Sequence, residues 1–198
     1  MNRLILASVV LVVAGCASSV TLDDSAKASI KSISISEKVV VPEQAHFIGP
    51  GAAFGALGAL AGASSDTPQA IKSHLEKNKI DLGKIVREQF EQEAKQNSFL
   101  GSRLKPGGES RVEIEIRVYG LGQKRGFSND YVPMLGYNVK MLDSTNKVVW
   151  EKYDYVSAFT EGIPTYQFEE YFKSDAAFRS AYTQSARIIA RNLLKDVQ

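Results

Sequence analysis

The residue types that most often carry chemistry are sparse in this chain and do not cluster along it. The two histidines, His46 and His74, are isolated, whereas a zinc site needs several His, Cys or carboxylate ligands at fixed offsets. His74 lacks the second histidine of a metalloprotease helix, which favours an ordinary position on a helix surface. The chain also has no Gly-x-Ser-x-Gly elbow for a nucleophilic serine. We therefore expect no metal site, no cofactor and no enzymatic activity.

Four carboxylates lie close together near the C-terminal end and could form an acid–base pair. They are interspersed with four aromatic residues at a spacing that predicts a short amphipathic turn. The carboxylates are Glu161, Glu169, Glu170 and Asp175, and the aromatics are Tyr166, Phe168, Tyr171 and Phe172. The favoured interpretation is the edge of the core. A partner-facing aromatic patch is the main alternative.

The stretch from Gly120 to Gly126 has a superficial likeness to a phosphate-binding loop. Its spacing is Gly-x-Gly-x-x-x-Gly and it leads to Pro133 rather than into a helix, so a glycine-rich connection between strands is favoured. The connection from Gly120 to Pro133 is longer than a hairpin requires, and long ordered loops often serve binding. We expect a partner-binding loop with contact residues Lys124, Arg125, Phe127 and Tyr131.

The N-terminus carries the strongest signal in the chain. Arg3 is followed by an uncharged apolar run of about ten residues, Leu4 to Val13, which is typical of a secretory signal and too short to span a bilayer. The run ends in Val13-Ala14-Gly15-Cys16, and Cys16 is the only cysteine, so no internal disulfide can form. An ordinary secretory signal ending in a chance cysteine is the alternative.

This tetrapeptide resembles the lipobox of bacterial lipoproteins, which is an aliphatic residue, two small residues and cysteine. The resemblance implies cleavage before Cys16, attachment of diacylglycerol to its thiol, and further acylation, commonly by palmitate, that gives stable anchoring. Ala17 in place of aspartate implies the outer membrane, facing the periplasm. The inner membrane and the outer leaflet stay open.

Residues 47 to 63 form an unusual segment with no charged or hydrogen-bonding side chain. Gly51 and Gly55, and then Gly58 and Gly62, stand four apart, which is the small-x-x-x-small pattern of close helix approach in membranes. Four glycines make a solvated helix implausible, because each costs about 1 kcal/mol there. We expect a Gly/Ala-rich insertion over 47–65 that contacts lipid or a second copy of the chain, or else an apolar loop without such a role.

The remaining sequence predicts an α+β domain. Strands are expected near Ile33 to Val41, at the alternating residues Val112 to Val118, at Tyr137 to Met141 and over residues 147–158. Helices are expected after Asp66, after Asp81 and from about Ser174. The economical arrangement is a two-layer sandwich, with about four largely antiparallel strands and helices packed on one face.

Size and charge limit the class of protein. Removal of residues 1–15, the predicted signal peptide, leaves about 180 residues, which suits one domain. The precursor has 24 basic and 22 acidic residues, so loss of Arg3 leaves a net charge of +1 and no electrostatic footprint for nucleic acid. The predicted division is a lipidated tether over 16–28 and a single periplasmic domain over 29–198.

The element order loosely resembles small periplasmic α/β lipoproteins that are accessories of larger envelope machines, such as auxiliary lipoproteins of lipid-transport systems and activators of penicillin-binding proteins. The resemblance implies a non-enzymatic lipoprotein that binds an envelope protein. The alternative is a self-assembling or membrane-active lipoprotein that uses residues 49–63, with a homo-oligomer as its form. An envelope hydrolase is the third hypothesis.

Overall fold

The computed structural model describes residues 19–49, 66–124 and 128–197. Within these ranges the chain forms six helices and six strands. The helices are α1 (Asp24–Ser29), α2 (Thr67–Lys77), α3 (Leu82–Gln96), α4 (Ser98–Gly101), α5 (Phe168–Lys173) and α6 (Asp175–Leu194). The strands are β1 (Ile33–Val40), β2 (His46–Ile48), β3 (Ser110–Gln123), β4 (Asp130–Leu142), β5 (Val148–Val156) and β6 (Tyr166–Gln167).

The strands form one mixed sheet in the order β1-β3-β4-β5, with β2 also paired to β3 and β6 also paired to β4. The predicted α+β class is correct, but the described sheet has six strands rather than about four. The two extra strands are short and share the flanks of β3 and β4 with β1 and β5. The β3–β4–β5 part is antiparallel, whereas β1 and β2 run parallel to β3. Helices α2 and α3 lie between these strands in sequence and supply the long crossover that parallel pairing requires.

The alternation of β3 determines which of its side chains enter the core. Val112, Ile114 and Ile116 are buried, and their direct partners on β4 are Met141, Val139 and Tyr137. The Tyr137 hydroxyl donates to the Ala186 carbonyl of α6 at 2.9 Å, so this face of the sheet is the one that meets α6. The intervening residues Glu113 and Glu115 belong to the opposite, outer face.

The three longest helices begin where the sequence predicts. Asp81 caps α3 by accepting from the Lys84 amide at 2.8 Å, and Ser174 caps α6 by accepting from the Ala176 amide at 3.2 Å. Pro68 occupies the first turn of α2, where a missing N–H costs nothing. Helix α6 packs on β4, β5 and α3, and α3 packs on β1.

Three buried tyrosines fasten these elements together through their hydroxyls. Besides Tyr137, Tyr182 of α6 donates to the Gly120 carbonyl of β3 at 2.9 Å, and Tyr171 of α5 donates to the Tyr131 carbonyl of β4 at 3.2 Å. Burial raises the pKa of all three phenols above the usual value of 10. These hydroxyls are therefore structural donors at any physiological pH.

Candidate functional site

Several residues to which the sequence assigns a role lie outside the described part of the chain. They are Cys16 of the lipobox, the four glycines Gly51, Gly55, Gly58 and Gly62, and Arg125 and Phe127 of the expected binding loop. Their predicted roles stay predictions. The nearest described residues show where the domain begins on either side of these segments.

The expected partner-binding loop is shorter than predicted. Strand β3 continues to Gln123 and β4 begins at Asp130, so most of the stretch from Gly120 to Pro133 is paired strand. Lys124 closes the hairpin by donating its amide to the Asp130 carbonyl at 2.8 Å. Tyr131 is only 6% exposed and stacks on Phe47 at 5.7 Å between ring centroids. Tyr131 is a core residue, which corrects its expected place among the partner contacts.

Gly120 lies within β3, and the packing of β2 against β3 requires a glycine there. Its φ is +154°, and a Cβ there would lie 1.8 Å from the His46 carbonyl oxygen. Only glycine allows β2 to run this close to β3. Gly120 and Gly122 thus lie within β3, rather than in the connection between strands that the sequence favours.

The carboxylate and aromatic cluster forms the edge of the core, as the favoured interpretation predicts. Tyr171 is fully buried, and Phe168 and Phe172 are partly buried against the core. Glu170 is committed to a capping box, in which it accepts from the Gln167 amide at 3.0 Å. The core-edge interpretation thus accounts for the aromatic side chains, and Glu170 stabilises the start of α5.

His74 is the histidine whose surroundings differ most from expectation. Its ring lies 5.2 Å from both the Phe172 and Phe178 rings, and its Nε2 is buried with no hydrogen-bond partner among the described residues. Burial lowers the pKa of His74, an effect that nearby Asp175 opposes and Lys77 reinforces. The expected surface position is wrong. The neutral imidazole acts as a member of an aromatic cluster.

Helix α6 carries a basic row, four residues apart, at Arg187, Arg191 and Lys195. From sequence this row indicates a solvated face, but two of its members have partners on α3. Arg191 donates from Nε to the Glu93 carboxylate of α3 at 2.9 Å, and Arg187 donates from Nε to the side-chain amide oxygen Oε1 of Gln89 at 3.1 Å. Glu93 is only 9% exposed, and both guanidiniums reach it. Two of the row's cations therefore hold α3 against α6 instead of standing free for a ligand.

The segment that follows Cys16 is joined to the domain almost at once. Val20 and Glu151 of β5 exchange two backbone hydrogen bonds of 2.9 Å in an antiparallel bridge. Leu22 is buried in the core at 4% exposure, and Asp23 caps α1 through the Ala26 amide at 2.7 Å. The expected tether over 16–28 is thus corrected for its described part, because residues 20–28 are bound to or folded on the domain.

The outer face of β5 presents exposed aromatic side chains. Tyr153 and Tyr155 are 40% and 58% exposed and stack with ring centroids 6.1 Å apart. Gly136 of β4 lies beneath them, and any Cβ there would come within 2.4 Å of the Tyr153 hydroxyl. The turn that follows β5 carries Phe159 at 80% exposure, held by hydrogen bonds between Ser157 and Thr160. We call Tyr153, Tyr155 and Phe159 the aromatic patch.

Two open depressions lie near β1. The larger, about 520 Å³, lies between β1, α3 and residues 104–107, and the smaller, about 260 Å³, lies on the outer sheet face beside Lys38 and Glu113. In the larger one Glu91 pairs with Arg87 and Lys95. Among the described residues no His, Cys, Asp or Glu side chains form a group of three that could hold a metal. None of the helices in the described ranges is both long and apolar enough to cross a membrane.

A scan against protein-family models finds no match, and a search of curated proteins finds no similar sequence. Solved structures show a distant likeness. They include the hypothetical protein CT253 from Chlamydia trachomatis, with 8% identity, a TM-score of 0.43, and 84% of this chain and 95% of that chain covered. A minor lipoprotein from Acinetobacter baumannii has 11% identity and a TM-score of 0.35, with 85% and 93% covered. A PelC dodecamer from Paraburkholderia phytofirmans has 10% identity and a TM-score of 0.37, with 86% and 89% covered.

Proposed function

We propose that the protein is a bacterial lipoprotein, anchored through Cys16 to the periplasmic face of the outer membrane, that binds another envelope protein without catalysing a reaction. The observation that carries the anchor is the lipobox-like sequence Val13-Ala14-Gly15-Cys16 at the end of a short apolar run. The structural likenesses, with TM-scores below 0.5, add no weight to it.

The described domain is consistent with a protein that positions itself and a partner. Its polar side chains with unusual surroundings are committed to structure: Glu93 to a helix pair, Glu170 to a cap, and His74 to an aromatic cluster. Its exposed apolar side chains are gathered on β5 and on the strand ends near Val40 and Ile48. Exposed apolar side chains grouped in this way are typical of surfaces that contact a membrane or another protein.

Purification of the full-length protein from membranes in mild detergent tests the partner-binding role. A stoichiometric complex with a second envelope protein, lost with the Cys16→Ala variant because that variant lacks the lipid anchor, is the expected result. A particle made only of copies of this chain would contradict the role and would support self-assembly.

Self-assembly or membrane activity through residues 49–63 is the second candidate, favoured by the paired glycine spacing and the lack of charge. Replacement of residues 51–63 by a Gly-Ser linker of equal length is the test, because it preserves the connection between Ile48 and α2. Under this candidate the variant melts as the wild type does but forms smaller particles. An unchanged particle size would remove the candidate.

A further inference from the structure

The bridge between Val20 and Glu151 limits how far the domain can lie from its membrane anchor. The four peptide units from Cys16 to Val20 span at most about 14 Å in any conformation, since each residue extends the chain by no more than about 3.6 Å. If Cys16 carries the lipid, as proposed above, its backbone cannot lie farther than this from Val20, which pairs with the edge of β5. The domain is then held at the bilayer surface.

The direction of the bridge selects the part of the domain that lies nearest. Because Val20 pairs antiparallel to β5, Ser19 lies on the side of Val20 toward the end of β5 that carries Tyr153 and Tyr155. Tyr155 is four residues from Glu151, which is about 14 Å along an extended strand. This distance equals the greatest possible separation of Cys16 and Val20. Tyr153, Tyr155 and Glu151 alternate on the same outer face of β5.

The side chains at this position suit a lipid–water interface. Tyrosine is amphipathic and is enriched at the headgroup level of membranes, where its ring meets acyl chains and its hydroxyl stays hydrated. Phe159 adds a larger apolar surface, 80% exposed, at the turn beyond β5. The neighbouring charges are paired, Arg117 with Glu115 at 3.0 Å and Lys140 with Glu151 at 3.5 Å. The surface therefore offers aromatic contact without a net basic attraction.

We infer that the aromatic patch of Tyr153, Tyr155 and Phe159 is a membrane-contact surface that seats the domain against the lipid headgroups beside its own anchor. The inference depends on the proposed lipidation of Cys16. It commits the patch to lipid and leaves the remaining surface of the domain for a protein partner. A protein covering the patch is the competing outcome.

Quenching of tryptophan emission by brominated phosphatidylcholine tests the assignment in the full-length lipidated protein reconstituted in phosphatidylcholine vesicles. The native Trp150 is the only tryptophan and is 1% exposed, so it gives a constant background. The reporters are Phe159→Trp and, independently, Tyr155→Trp. The matched control is Gln92→Trp, at an exposed position on α3.

We expect both patch reporters to lose about half of their added emission, because an indole at the headgroup level lies within contact of the bromines, while the control loses little. Addition of phosphatidylglycerol should leave the quenching unchanged. Quenching of both reporters no stronger than that of the control would overturn the assignment and give the patch to a protein. Quenching that requires phosphatidylglycerol would overturn its aromatic basis.

Mass spectrometry of the same preparation distinguishes failure of the membrane-contact assignment from failure of the lipoprotein proposal. A diacylglyceryl mass on Cys16 together with unquenched reporters would remove the membrane-contact surface and leave the lipoprotein proposal intact. An unmodified Cys16 would remove the proposal and, with it, the geometric reason for the patch to face lipid.

Discussion

His74 illustrates at the scale of one residue how surroundings set chemical behaviour. Its lowered pKa means that the folded state binds the proton less readily than the unfolded state, whose histidine has a pKa near 6.5. Stability from this group is therefore complete above about pH 6.5 and is lost as the pH falls from there through the lower, folded pKa.

We predict that the thermal midpoint of the wild type falls between pH 7 and pH 5 and that His74→Phe reduces this fall. Phenylalanine fits a site bounded by Phe172 and Phe178 and cannot be protonated. Melting curves across this range provide the measurement, with exposed His46→Gln as the control. An identical fall in the His74→Phe variant would show that other groups cause it.

The carboxylate of Glu93 gives a second prediction at this scale. Glu93→Ala should lower the free energy of unfolding by about 1–2 kcal/mol, less than for a fully buried ion pair, because the guanidiniums of Arg187 and Arg191 are 37% and 56% exposed and solvent screens them. Chemical denaturation measures the loss. Glu88→Ala, which removes a surface pair with Lys84, is the control and should change stability by less than about 0.5 kcal/mol.

Glu93 also shows why this contact could not be predicted. The arginines recur four residues apart on α6, which from sequence indicates a solvated basic row. Their shared partner Glu93 lies on α3, 98 residues from Arg191 along the chain, and only the packing of the two helices brings the groups together. Spacing along one element cannot report a partner on another.

At the scale of elements, Gly120 determines whether β2 can pair with β3. Gly120→Ala should cost at least about 2 kcal/mol more than Gly107→Ala, because the new methyl group would collide with the His46 carbonyl in addition to straining the backbone. Gly107 has φ of +68° and open space around its Cβ position, so its substitution measures the strain of a positive φ without a collision. If both variants lose the same free energy of unfolding, β2 moves away from the new methyl group at little cost and the prediction is wrong.

The inner face of the sheet gives a prediction about the core. Ile114→Ala and Ile189→Ala should each lower the free energy of unfolding by about 2–5 kcal/mol, since both side chains are at most 2% exposed and each leaves a cavity. Glu113→Ala, on the outer face of the same strand, should change it by less than about 0.5 kcal/mol. Comparable losses at positions 113 and 114 would indicate that the faces are assigned incorrectly.

The long elements could be predicted from sequence because each carries several periods of its own pattern. The alternation from Val112 to Val118 and the stripe from Phe178 to Leu193 give the core faces of β3 and α6. Strands β2 and β6 have three and two residues, too few to show a period, and their pairing depends on Gly120 and on residues of β4. The sequence places Tyr131 in a loop for a similar reason, because the glycines from Gly120 onward hide the residue at which β3 ends.

At the scale of the whole molecule, the sequence predicts a longer tether between Cys16 and the domain than the structure allows. Small polar residues after Cys16 indicate a tether, yet Val20 joins β5 and Leu22 enters the core. A single β-bridge carries no sequence signal, and one buried leucine among polar neighbours has no period. If Cys16 carries the proposed lipid, this short connection makes the orientation of the domain at the membrane a consequence of the fold.

Cys16 is proposed to carry the lipid that holds the protein at the membrane. Metabolic labelling of cells with an alkyne fatty acid tests it directly, with the wild type compared with Cys16→Ala. The thiol is the only one in the chain, so the thioether can form nowhere else. We predict a labelled wild-type band in the membrane fraction and an unlabelled Cys16→Ala band that retains the signal peptide. An unlabelled wild-type band, or equal labelling of the two proteins, would contradict the account.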